Sequence, residues 1–103
     1  MKIIKCLSEY IHDEIHDGEK YIKKALEVRE EYPEVAELLN ILSNEEMRHM
    51  QMLHTQVAKL IENYRKNVGE PPVQMLAVYD YLHEKAINEA KEVKVMQQMY
   101  NEK

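Results

Sequence analysis

Phenylalanine and tryptophan are absent from this sequence, glycine occurs twice, proline three times and cysteine once, at Cys6. Each shortage excludes something. A single cysteine forbids an intrachain disulfide, an all-cysteine zinc site and a rubredoxin-like iron centre, and it suits a reducing cytoplasm. Only Lys5 lies near Cys6 to activate it, so nucleophilic catalysis is not indicated. Long apolar runs are also missing. The opening MKIIKCLSEYIHDE reaches charge before a signal-like apolar core of roughly 7–15 residues can form, so neither export nor membrane insertion is expected. Basic excess is missing as well: 14 Lys+Arg stand against 19 Asp+Glu, with no Lys/Arg-rich block, which argues against a nucleic-acid partner. At 103 residues the chain reads as one domain, 1–103, whose core would gain from association with a second copy.

Apart from Gly18, the glycine and proline residues fall at two places, EYPE (31–34) and GEPP (69–72). Between these breaks the composition is rich in Ala, Leu, Glu, Lys, Met and Gln, all strong helix formers, without an alternating strand pattern. The expected fold is therefore all-α, with three long helices at about 3–31, 33–68 and 73–101. Pro33 suits a first helical position, Glu34 and Glu37 complement the positive end of that helix, and Gly69 followed by Pro71 and Pro72 stops it.

Polar residues interrupt the apolar stripes at particular points. In the first segment Ile4, Leu7, Ile11, Glu14, Gly18, Tyr21, Ala25, Val28 and Tyr32 alternate steps of three and four, the rhythm of helices packed at a shallow angle. In the second, Leu39, Leu42, Glu46, His49, Leu53, Val57, Leu60 and Tyr64 form a comparable stripe. The third carries Leu76, Tyr79, His83, Ala86, Ala90 and Val93, with Met75, Leu82, Glu89 and Met96 alongside.

An unpaired carboxylate in an apolar interior costs several kcal/mol, so it must be protonated, paired with a cation, or bound to metal. Neither of the first two stripes offers a lysine or arginine. Glu46 and His49 are three residues apart and project from one side of a helix turn, a chelating arrangement. If the first two helices form an antiparallel hairpin about residue 32, Glu14 and Glu46 stand at comparable distances from the turn and face one another. One chain then offers three donors. Two chains offer four glutamates and two histidines, the set found in di-iron and di-manganese carboxylate bundles. Oxygen and imidazole donors suit iron or manganese, and zinc is also compatible with them.

The stretch DEIHDGEKY (13–21), with Tyr21 seven residues after Glu14, followed by NEEMRHMQML (44–53), resembles the paired helix signatures of the ferritin-like superfamily, nearest to rubrerythrin-type domains and short encapsulated ferritins. The resemblance covers roughly residues 7–64. It implies a ferritin-like bundle whose four-helix core is completed by a homodimer, a di-iron site in which Glu14 and Glu46 bridge or ligate and His49 ligates, and Tyr21 standing behind the ligands. It further implies ferroxidase or peroxide-linked iron oxidation, with Glu14, Glu46 and His49 as the catalytic group. The departures are that a rubrerythrin's four ligand-bearing helices and cysteine-rich domain are not present, and that the chain ends MYNEK without an apolar targeting tail, so encapsulation is not expected.

Other readings stand beside these. Glu46 and His49 also fit a polar pair at a helix edge, and the whole chain fits a non-catalytic structural or protein-interaction module on the same scaffold. In YDYLHEKA (79–86), Asp80 and His83 repeat the carboxylate-x-x-His spacing, so they either add metal ligands within one chain or merely flank the bundle. Met47, Met50, Met52 and His54 read as core filler rather than a soft-metal cluster. His12, His16 and His54 read as surface or boundary residues, and Gly18 as a point of close helix approach or as room beside a metal site.

Overall fold

The computed structural model describes residues 2–102, which form α1 (Lys2–Val28), α2 (Pro33–Asn67) and α3 (Val73–Asn101). The breaks behave as their residues require. The amide of Tyr32 donates to the Val28 carbonyl at 2.7 Å, closing the last turn of α1 three residues before the expected end. Pro33 then occupies the first turn of α2, where its missing N–H costs nothing, and Glu34 joins it there. At the other end Arg65 and Lys66 face the negative pole of the helix. The amides of Val68 and Gly69 both donate to the Tyr64 carbonyl, at 2.8 and 3.1 Å. Gly69 has φ +129°, a conformation that side-chain-bearing residues rarely adopt, so the chain turns there before Pro71 and Pro72 launch α3.

The three helices run up, down and up in a rod of 55 × 19 × 17 Å. Its length is close to the ~52 Å expected of the 35-residue α2 at a rise of about 1.5 Å per residue. α1 and α2 pack along their length, and α3 lies more against α1 than against α2. Accordingly α1 supplies most of the buried apolar surface, through Ile4, Ile11, Ile15, Ile22 and Ala25. Ala36 from α2 and Ala86, Val93 and Tyr100 from α3 complete the buried set, with Met47, Met50 and Leu53 partly buried around it. Met52, by contrast, is exposed. Among the described residues, no helix is long and apolar enough to cross a membrane.

The expected stripes hold on α1 at Ile4, Ile11, Gly18 and Ala25 and on α3 at Ala86 and Val93, but the buried sectors are turned from the centres of those stripes, most of all on α2. On α1 the fully buried positions include Ile15 and Ile22, while Glu14 and Tyr21 are half-buried, and Tyr32, beyond the end of α1, is exposed. On α2 they are Ala36, Asn40 and Ser43, while Leu42 is half-buried and His49 exposed. On α3 His83 is exposed. The reason is the third helix. α1 and α2 each face α3 as well as one another, which moves the centre of each buried sector toward α3 and leaves Glu14, Glu46 and His49 on the opposite flank of the α1–α2 pair.

One polar junction ties all three helices. The Ser43 hydroxyl donates to the Gly18 carbonyl at 2.7 Å, and the Gln97 amide donates to Ser43 Oγ at 2.9 Å. A Cβ on Gly18 would meet Met47 Sδ at 3.1 Å and the Ser43 carbonyl oxygen at 3.5 Å, so glycine lets the backbones of α1 and α2 close on one another here. Near the α1–α2 turn the buried Tyr100 donates to Glu37 Oε2 at 3.1 Å, anchoring the end of α3. The junction makes a defined expectation: Gly18→Leu should destabilise the chain by about 1–3 kcal/mol through overpacking against Met47 and the α2 backbone. Chemical denaturation measures it, and an unchanged midpoint would show that the helices are not in close contact at this point.

Candidate metal centre

One turn from the Gly18–Ser43 contact, α1 and α2 bring three donors together. Glu14 lies four residues before Gly18 and Glu46 three after Ser43, so the close approach of the backbones holds the two carboxyl groups at the same level of the hairpin. Glu14, Glu46 and His49 each offer a ligand atom within 4.8 Å of the others, and among the described residues they are the one such group of three. His49 Nδ1 is 3.4 Å from Glu14 Oε2 and 4.0 Å from Glu46 Oε2.

Charge is poorly balanced within this group. No lysine or arginine pairs with either glutamate among the described residues, and the imidazole is nearly half exposed, with 46% of its side chain accessible. Glu14 Oε2 is fully buried and accepts no hydrogen bond. Such an atom is rare in a folded protein, because a buried acceptor without a donor loses its hydration with nothing in return. The Glu46 carboxyl is pushed up from 4.5 to about 7: the adjacent Glu14 carboxylate can accept a hydrogen bond from Glu46 only when Glu46 is protonated, burial disfavours its charge, and Glu14 and Asp17 repel it, against a smaller opposing pull from His49.

The remaining expected ligands lie elsewhere. His83 Nδ1 sits 2.8 Å from His54 Nε2, across the gap between α3 and α2, and Asp80 lines a cavity of about 410 Å³ beside that pair. Asp80 and His83 are therefore not part of the Glu14–Glu46–His49 group. Tyr21 is half-buried two turns along α1, and no hydrogen bond joins it to the three donors among the described residues. The pairing of His54 with His83 was not visible in the sequence, where His54 reads as a boundary residue. Its only local signal was a position four residues after Met50, on the buried side of α2. The contact between His12 Nδ1 and Glu89 Oε2, at 3.3 Å between α1 and α3, was equally hidden.

Compared with protein-family models, curated proteins and solved structures, the chain matches none.

The raised Glu46 carboxyl fixes a pH dependence for the metal-free chain. Because the folded state holds this proton more tightly than the unfolded state, folding is favoured below the unfolded value, and that advantage is lost as the pH rises through the window from 4.5 to about 7. In the presence of a chelator, stability should fall across that window and then level. Glu46→Gln should flatten the profile and leave the variant more stable than the parent at pH 8. Denaturant midpoints measured at several pH values decide the matter, and parallel profiles for parent and variant would contradict it.

Proposed function

We propose that the chain is a ferritin-like di-metal carboxylate protein, with iron as the metal, whose site is completed by a second copy. The observation that carries this reading is the buried, unbonded Glu14 Oε2 beside Glu46 and His49. A divalent cation among these atoms would supply the charge that the protein does not. Two carboxylates and an imidazole are hard-to-borderline donors, suited to iron or manganese and tolerated by zinc. Glu14 and Glu46 would hold the ions between α1 and α2, and His49 would approach from the solvent side.

Three donors do not fill an ion's coordination, and support for a second copy comes from the surroundings. Counting about 100° per residue around a helix, Ile3 and Tyr10 share the α1 sector of Glu14, and Val35 shares the α2 sector of Glu46. Their accessibilities are 54%, 51% and 49%, which leaves apolar side chains along this flank, Tyr10 one turn from Glu14 and Ile3 and Val35 about three turns from the acidic group toward opposite ends of the hairpin. Two such flanks laid together would place four glutamates and two histidines in one four-helix core, the donor set of carboxylate-bridged di-metal bundles. Iron bound there would supply an Fe(II)/Fe(III) couple, the basis for a ferroxidase or peroxide-linked oxidation. The residues themselves would position the ions, exclude part of the solvent and, through Glu46, take up or release a proton near neutral pH.

The raised Glu46 carboxyl also favours a second reading, a structural or interaction module. A protonated Glu46 bridged to Glu14 removes one negative charge without a metal. Anaerobic Fe(II) titration separates the two. The di-metal reading expects about two ions per pair of chains, abolished in Glu46→Ala, with sedimentation showing a dimer. A bound ion at about a hundred times its dissociation constant should also add ~2.7 kcal/mol to stability. Iron uptake that is absent, or unchanged in Glu46→Ala, would leave the structural reading.

A further inference from the structure

We propose that His54 and His83 form a second, independent site for one divalent transition-metal ion of the zinc class, with Asp80 as its third ligand and water completing the coordination. This site lies between α2 and α3 and does not depend on the reading of Glu14, Glu46 and His49.

The argument starts from the 2.8 Å separation of His54 Nε2 and His83 Nδ1. Only one of these nitrogens can carry a proton toward the other, so the second presents a bare lone pair. The ring centroids are 4.6 Å apart and the planes 28° from parallel, so two imidazoles on different helices stack with one nitrogen of each in contact, and an ion between them needs the rings to turn as well as part. Tetrahedral zinc with Zn–N bonds of about 2.0–2.1 Å places two such nitrogens roughly 3.3 Å apart, so an ion replacing the shared proton needs them to separate by about half an ångström. His83 is exposed, and a shift of that size meets little resistance.

The surroundings complete the case. Asp80 is one turn before His83 on α3 and exposed; its carboxylate does not lie within 4.8 Å of both histidine nitrogens and would turn toward the pair to ligate. Both line the 410 Å³ cavity, which has room for water ligands. His54 is five residues after His49, a rotation of about 140° around α2, so the two histidines serve opposite flanks. An ion here would clamp α3 to α2, which meet over only a small area.

Zinc titration of the full chain tests the proposal, read by equilibrium dialysis in a Glu46→Gln background that disables the other group, with circular dichroism confirming helix content. The expected result is one zinc per chain, weakened in His54→Gln and in His83→Gln by at least the roughly 10–100-fold that losing even an outer partner of a metal site costs. In the parent chain, the His54 and His83 ring signals should shift together by NMR as zinc is added, whether or not a variant folds. Ring signals that stay fixed, or affinity unchanged in both histidine variants, would overturn the site. An unchanged affinity in Asp80→Asn would overturn the three-ligand form of it.

Discussion

The close approach of α1 and α2 at Gly18 is the contact on which the arrangement rests. With no side chain at that position, the Ser43 hydroxyl reaches the Gly18 carbonyl, and Gln97 reaches Ser43 from α3. A bulkier residue would separate the hairpin at mid-length, and the carboxyl groups of Glu14 and Glu46 stand just one turn away. The same contact therefore sets the packing and the spacing of the donors. It also accounts for a glycine inside a 27-residue helix, where it would otherwise cost up to ~1 kcal/mol.

Electrostatics then divides the molecule into two flanks. On one, three acidic residues, Glu14, Glu46 and Asp17, face a single imidazole, and the imbalance appears as a buried acceptor without a donor and a carboxyl that holds its proton to about 7. On the other, polar side chains meet as complementary pairs: Ser43 with Gln97, His12 with Glu89, His54 with His83. Polar groups of the second kind hold the helices in register. Those of the first kind are stable only in company with something else, whether a proton, an ion or another chain.

Much of this was legible in the sequence, and the limits have physical causes. The helix boundaries followed from Pro33 and from Gly69 with Pro71 and Pro72, because these residues act locally on the backbone. The meeting of Glu14 and Glu46 followed from their distances to the turn, since a hairpin of two continuous helices has nearly fixed geometry. The stripes held in part: Ile4, Ile11, Gly18, Ala25, Ala86 and Val93 are buried as expected, whereas Ile15, Ile22, Asn40 and Ser43 lie deeper than Glu14, Tyr21, Leu42 and His49. A three-four rhythm marks an apolar face but not its centre, which depends on where the third helix lies. The His54–His83 pair was beyond reach for the same reason, as residues 29 apart on different helices carry no local sign of one another.

The five-residue link between α2 and α3, bent at Gly69 and stiffened by Pro71 and Pro72, has one consequence beyond ending a helix. A three-helix bundle comes in two hands, distinguished by the side of the hairpin on which the last helix settles. Had the bend thrown α3 to the other side, its own side chains would lie over Glu14, Glu46 and His49 in place of solvent. The choice of hand, made by a few backbone angles in a short corner, thus decides which surface of the hairpin the protein presents to the outside.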